Sequence, residues 1–367
     1  MRVLIVGHTA PGGVFTVGSH HLARELALQG HDVVHLSSPV SLVHLLRWRD
    51  PEVRRRVRLS RTAHEAAPGA AGLLPLTLLP LSVGPLATGR LALRTALPSL
   101  RRTLRSAGVD EVDVLLVDQP LAAGIESIVR ARLVVYRSTD VVAGTAKRRA
   151  EERLLRRADA LVATSAAVLE ILRARRPDLP HLVLDNGVDF SRFEATGTQE
   201  RRGSVYVGAI DERFDWEAVR DVAQERPDEP VDVYGPPTVP VPPLPANVEV
   251  HGQVAYDRTP SLLRRARVGL LPFASTPANR GRSPMKLFEY LASGLQVLTT
   301  IPPSVTPKPP GVHVHEPGAD DGVVERALSA QVNAEGVAAA RSMDWSGRAR
   351  VLAGFLEDLL RSRPGLP

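Results

Sequence analysis

The chain has 367 residues, enough for two domains that each bury a core, and it has no cysteine, which excludes disulfides, thiolate metal sites and a cysteine nucleophile. Its net charge of +6 and pI near 10.1 raise nucleic acid or an anionic membrane as partners. Nearly all of the positive charge is arginine interleaved with glutamate along helix-like segments, lysine occurs only at 147, 286 and 308, and no nucleic-acid-binding motif is present, so a nucleic-acid partner is not expected. The amino terminus, Met1 to His8, has too short an apolar run for a signal peptide, so a cytoplasmic protein is expected.

Arg2 to Val6 reads as a buried parallel strand running into His8-Thr-Ala-Pro-Gly-Gly13, a glycine turn at the strand's carboxyl end, where open α/β sheets place ligands. Gly12 and Gly13 form neither a dinucleotide fingerprint nor a P-loop. A helix from about Ser19 to Leu28 ends at Gly30, and His31 to Leu36 is the second strand. His20 and His21, in the first turn of that helix, read as solvated surface histidines. From about Ser41 to Arg105 the pattern is irregular; its leucines either pack a helix pair against the sheet or meet an apolar ligand. Leu73 to Leu86 is the longest greasy run, but Pro75, Pro80 and Pro85 break it, so no spanning helix is expected and only peripheral membrane contact is left open.

Val112 to Val117 and Arg132 to Tyr136 are strand-like and close on Asp118-Gln119-Pro120 and Arg137-Ser-Thr-Asp140. Asp140 either caps the next helix, about Thr145 to Arg157, or sits at the cleft edge. Ala158 to Ser165 and Leu182 to Phe190 follow, and a second domain restarts at Gly203-Ser-Val-Tyr-Val-Gly208, with Arg213 just beyond. Arg213 either holds a phosphate or pairs with Asp211 or Asp215. Val231 to Gly235, Asn247 to Tyr256 and Arg267 to Phe273 are further strand-and-turn segments.

Arg280 to Gly294 is the most informative stretch. Ser283 suits a cap, Pro284 the first helical position and Gly294 the left-handed end, while Leu287, Tyr290 and Leu291 recur at helical spacing as a buried face. Arg280, Arg282 and Lys286 crowd the helix N-terminus, where the macrodipole disfavours cations, and a bound phosphate resolves that conflict. Glu289, three residues beyond Lys286, is placed to accept hydrogen bonds from ribose hydroxyls. An ordinary capped surface helix with a neighbouring Lys-Glu pair is the alternative.

The run Ser283-Pro-Met-Lys-Leu-Phe-Glu-Tyr-Leu-Ala-Ser-Gly294 resembles the donor-binding helix of GT-B glycosyltransferases of the retaining family four, among bacterial cell-envelope and natural-product members. That resemblance implies an α/β protein of two Rossmann-like domains, about 1–185 for the acceptor and 186–344 for the nucleotide-sugar donor. The C-terminal helix, about 345–365, then completes the first domain. It implies transfer of a sugar from a nucleoside-diphosphate sugar to an acceptor hydroxyl with retention, no metal and no other cofactor. The implied donor contacts are Gly12, Gly13, Arg213, the Gly252, Gln253 and Val254 backbone near the nucleobase, and the helix opening Arg282, Ser283, Pro284, Met285, Lys286 with Glu289. Asp140 is the implied catalytic residue, with His20 and His21 toward the acceptor. A sugar-nucleotide epimerase or a non-catalytic sugar-nucleotide-binding protein is the alternative. Arg137 and Val141 depart from the family's acidic pattern, and Gly281 stands where the family often has a glutamate.

Overall fold

The structure is a computed structural model that describes every residue except 14, 15, 62, 63, 197–199, 277, 278, 280, 320 and 364–367. The chain divides into two compact units, Met1–Leu184 joined by the stretch from Arg348 onward, and Asp185–Gly347.

In the first unit the strands are β1 (Arg2–Val6), β2 (Asp32–Leu36), β3 (Val40–Ser41), β4 (His64–Ala67), β5 (Ala70–Leu73), β6 (Leu76–Thr77), β7 (Ser82–Val83) and β8 (Leu86–Ala87). They continue with β9 (Ala96–Leu97), β10 (Glu111–Val117), β11 (Arg130–Ser138), β12 (Ala160–Ala163) and β13 (His181–Val183). The main sheet runs β13-β12-β11-β10-β1-β2-β5-β4, parallel except where β4 meets β5. Its central strands are nearly continuous in Val, Leu and Ile, because a parallel strand covered on both faces has no polar side to present. Val6 stands opposite Leu36 on one side and Val117 on the other, so the turns after β1 and β10 emerge together where the strand order reverses. Ligands bind at such a reversal in open sheets.

The irregular stretch after Ser41 is not a helix pair. It folds as β3, β6 and β9 in a small sheet, the hairpin β7–β8, and the helices Leu42–Leu45, Pro51–Leu59, Gly89–Arg94 and Leu100–Ser106. The run Leu73 to Leu86 is broken into the end of β5, β6 and the hairpin, and no helix among the described residues is long and apolar enough to cross a membrane.

The second unit carries β14 (Ser204–Val207), β15 (Val231–Tyr234), β16 (Val248–Gly252), β17 (Val268–Leu271), β18 (Gln296–Thr299) and β19 (Val312–Val314), all parallel, in the order β16-β15-β14-β17-β18-β19. The order reverses between β14 and β17. The helix Met285–Ala292 lies between β17 and β18 in sequence and buries Leu287, Phe288, Tyr290 and Leu291 against the sheet. Each such side chain stabilises the unit by about 1.5–3 kcal/mol. Gly269 in β17 makes the approach possible, since a Cβ there would lie 2.2 Å from the Tyr290 ring. Tyr290 then accepts the Val207 N–H at 3.1 Å, which fixes the helix to the end of β14. Gly294, with φ +78°, ends the helix as its position suggested. The last helix, Trp345–Arg361, belongs to the first unit from Arg348, and Arg363 beyond it pairs with Asp159 at 2.5 Å.

Candidate functional site

In the second unit the helix Met285–Ala292 opens one residue later than its sequence suggests. Pro284 keeps φ −73° but has ψ 128°, so it is the capping residue rather than the first helical one, and no side chain caps the helix. Ser283 is therefore not the cap. Its hydroxyl accepts the Asn186 N–H at 3.2 Å and its carbonyl accepts the Asn186 amide at 2.7 Å, so the Asn-Gly-Val-Asp segment is tied to the helix entrance.

Lys286 reaches back from the first turn to the end of β14. A Cβ on Gly208 would lie 2.1 Å from its Cε and 2.4 Å from its Nζ, so only a glycine leaves room for the ammonium. Nζ stands 5.5 Å from the centre of the Tyr206 ring, whose hydroxyl donates to the Ala209 carbonyl at 2.6 Å. Burial, reinforced by the charges of Arg282 and Arg213, pushes the Lys286 ammonium down to about 8. Glu289, buried beneath it, opposes that shift and is itself raised by burial; it accepts the Tyr256 hydroxyl at 3.0 Å. Arg282 donates to the Asn279 side chain at 3.2 Å and stacks over Phe273 at 5.5 Å. Arg213 is held in a bidentate pair by Asp211, Nε to Oδ1 at 3.0 Å and Nη2 to Oδ2 at 2.5 Å, which is the surface pairing considered from sequence. That pairing still leaves it near enough to Lys286 to depress it. Three cations thus gather at one helix entrance with two carboxylates, and the cationic end of the helix dipole adds to them. Arg280 lies outside the described residues.

The ends of β14, β15 and β16 each carry a glycine. Gly235 donates to the Gly252 carbonyl at 2.6 Å, and a Cβ on Gly235 would lie 1.7 Å from the Gly208 carbonyl, so the three turns form a ledge without side chains beside Lys286. Gly252 has φ +73° and its carbonyl is taken up by Gly235, while Gln253 is exposed and Val254 half-buried beyond it. Sequence reasoning singled out Arg213 with Asp211 as a candidate partner, Lys286, Glu289 and Gly252, but missed Tyr206, Gly208 and Tyr256. Gly208 was legible as a glycine closing a strand; nothing in the sequence pairs it with a lysine far along the chain.

In the first unit Gly12 has φ +67°, and Gly13 lies against the guanidinium of Arg55, which donates to the Pro11 carbonyl and pairs with Glu52 at 2.6 Å. Arg55 was not singled out from sequence. His20 and His21 are buried, which corrects the expectation that they are solvated. His20 Nε2 lies 3.1 Å from the Thr9 carbonyl and its ring meets His35 edge-on at 4.8 Å; burial lowers both histidines, His35 to about 3, so both are neutral at pH 7.

Arg137, at the end of β11, is fully buried and pairs with Asp118 at the end of β10, Nη1 to Oδ2 at 2.6 Å. Burial raises Asp118 despite this partner, and half-buried His8 at the end of β1 lies in the field of Asp118, Lys147 and Asp140. Asp140 does not occupy the cap of the next helix, which runs Thr145–Leu155 with Gly144 at its cap. It lines a cavity of ≈ 200 Å³ with Ser138, Arg148, Glu151 and Arg175. Glu151 accepts the Tyr136 hydroxyl at 2.8 Å and Arg175 at 2.5 Å.

The chain was compared with known proteins. Residues 213–356 match the sequence model of the family described as glycosyl transferase-like. Among curated proteins, TuaH of Bacillus subtilis (strain 168), named as a glycosyltransferase of teichuronic acid biosynthesis, is 30% identical over 43% of this chain and 44% of its own length. The chain therefore aligns with less than half of that relative. Among solved structures, sucrose-phosphate synthase from Thermosynechococcus elongatus superposes with a TM-score of 0.70 at 13% identity, covering 99% of this chain and 100% of the other. AviGT4, a glycosyltransferase of avilamycin A biosynthesis, gives 0.61 at 18% identity over 99% and 98%.

Proposed function

We infer the function from the GT-B fold shared with these solved structures and from the likeness of residues 213–356 to the glycosyl transferase-like family. We propose that the chain is a glycosyltransferase that moves a sugar from a nucleoside-diphosphate sugar to an acceptor hydroxyl. The observation that carries this reading is the Lys286 ammonium, pressed against Gly208 and depressed among Arg282 and Arg213 at a helix entrance. A cation kept at such a cost in burial is suited to meet an anion.

In the reaction, the bond from the anomeric carbon to the diphosphate oxygen breaks, the acceptor oxygen bonds to that carbon and the acceptor proton leaves. Charge develops on the departing diphosphate, and positioned donors at that point supply the largest share of such catalysis. Lys286, Arg282, Arg213 and the amides of Met285 and Lys286 take that role, so the proposal needs no metal. Glu289, oriented by Tyr256, takes the ribose hydroxyls. The ledge of Gly208, Gly235 and Gly252 lets backbone approach the nucleotide, with Gln253 and Val254 beyond it. Asp140 in the first unit orients or deprotonates the acceptor, and Gly12 and Gly13 lie toward the transferred sugar. Retention of configuration belongs to this proposal through the resemblance of residues 283–294. Buried His20 supports the turn at Thr9, and the proposal gives neither His20 nor His21 a contact to the acceptor.

The test is incubation of the purified chain with a panel of nucleoside-diphosphate sugars, with and without pooled hydroxyl acceptors, monitoring nucleoside diphosphate release. Release in wild type, at least about tenfold slower in Asp140→Asn at unchanged nucleoside diphosphate affinity, is the expected result. Interconversion of one sugar nucleotide into another without diphosphate release would instead make the chain an epimerase, and binding without either reaction a non-catalytic receptor.

A further inference from the structure

The positive charge of this chain is not evenly spread. Between Leu42 and Arg61 there are seven arginines against two carboxylates, Asp50 and Glu52. The same segment exposes apolar side chains. Leu42, Val43 and Leu46 fall on one face of the short helix Leu42–Leu45 and its following turn, while Leu45 on the other face packs on the cluster of Val40, Val53 and Val57. Leu46 is 86% exposed and Trp48 50% exposed.

These groups are held outward by ordered backbone. Trp48 N–H bonds to the Leu45 carbonyl at 3.1 Å, Asp50 caps the helix Pro51–Leu59 through Glu52 N–H, and Arg54 donates to the carbonyls of Trp48 and Arg49 at 3.3 and 2.8 Å. On that helix Val53 and Val57 face inward, so Arg54 and Arg58 lie along the outer face, with Arg61 one turn further on. An exposed stripe of leucine, valine and tryptophan therefore lies at the foot of a row of arginines.

We propose that this face docks on an anionic lipid surface, with Leu42, Val43, Leu46 and Trp48 entering the headgroup boundary and Arg54, Arg58 and Arg61 meeting lipid phosphates. Tryptophan and leucine beside a basic row is the composition that interfacial elements use. A nucleic acid would take the arginines and leave the leucines in water, and a second copy of the face would set two arginine rows against each other. The docking does not depend on the proposed sugar transfer, and its test uses no sugar nucleotide.

The full chain is sedimented with vesicles of phosphatidylcholine alone and of phosphatidylcholine mixed with phosphatidylglycerol at about 3:1, while tryptophan emission is followed. Trp216 and Trp345 are buried, so Trp48 is the reporter. The expected result is sedimentation and a blue shift with the mixed vesicles only, weakening as salt is raised. Arg54→Gln/Arg58→Gln/Arg61→Gln should lower the partition coefficient roughly a hundredfold, since each arginine near an anionic surface contributes about fivefold. Leu46→Asp/Trp48→Ser should abolish sedimentation with an unchanged melting temperature, and Trp48→Phe should lose the blue shift while still sedimenting. Equal sedimentation with both vesicle types, or none in wild type at low salt, would overturn the proposal. So would undiminished binding by Leu46→Asp/Trp48→Ser, or duplex DNA binding or self-association lost in that variant without vesicle binding.

Discussion

If the depressed Lys286 exists to receive a diphosphate, binding must take up a proton at alkaline pH. In the free protein the ammonium titrates near 8 because it is buried beside Arg282 and Arg213. An anion of two charges at that point outweighs those causes and returns the lysine toward its ordinary value near 10.5. The gap corresponds to a coupling of about 3 kcal/mol at most, at 1.36 kcal/mol for each tenfold change in proton affinity. The sign follows from the depressed value: below pH 8 the lysine is already charged and affinity is flat, and above it the free protein must acquire a proton before it binds. Affinity for the nucleoside diphosphate should therefore fall by up to about tenfold per pH unit above pH 8, levelling off near the restored value. At pH 8.5 about three-quarters of a proton should be taken up per ligand bound, since only about a quarter of the free lysine is then charged. Calorimetry in buffers of different ionisation enthalpy measures that uptake directly. Lys286→Ala should bind about 1.5–3 kcal/mol more weakly at pH 7 and show no uptake. Buffer-independent heats in wild type, or the same uptake in Lys286→Ala, would refute the placement of the anion.

Three further outcomes follow from the same geometry. Gly208→Ala puts a methyl where Cε and Nζ of Lys286 now lie and, at φ +159°, strains the backbone as well, so nucleoside diphosphate affinity of the folded variant should fall at least about tenfold together with a lowered melting temperature; isothermal titration and a melt together check this. Glu289→Gln keeps the Tyr256 contact but loses the charged acceptor, so its preference for the ribonucleotide over the 2′-deoxy analogue should shrink, measured by competition; an unchanged preference would remove Glu289 from the ribose. Arg137→Met leaves the Asp118 carboxylate buried without its cation and should destabilise the first unit by about 3–5 kcal/mol at pH 7, with part of the loss recovered as acid protonates Asp118, which a melt across pH 5 to 7 will show.

The parallel strands were legible because burial on both faces makes their runs continuous, as in Val3 to Val6 and Val114 to Val117. The stretch after Ser41 was not, since two-residue strands such as β3, β6 and β9 are too short to carry a period. One of its helices carries Asp50 and Pro51 at cap and first position, a start signal that went unread because the arginines around Val53 and Val57 hid the buried face. At the donor helix the residue types were readable and the start was off by one, because Pro284 satisfies φ for either position and only ψ separates them. His20 is buried against His35 on the second strand, and local spacing cannot report a contact between a helix and a strand so far along the chain.

The Arg137–Asp118 pair has a consequence for how this chain can vary over time. Replacing Arg137 alone by aspartate would set two carboxylates together at fully buried positions. Neutralising Asp118 alone would strand the guanidinium instead. Either single step passes through a form several kcal/mol less stable, comparable with the whole margin of an ordinary domain. The two positions therefore behave as one heritable character, and their substitutions should be strongly non-additive: a joint exchange to a well-packed apolar pair should cost far less than the sum of its halves.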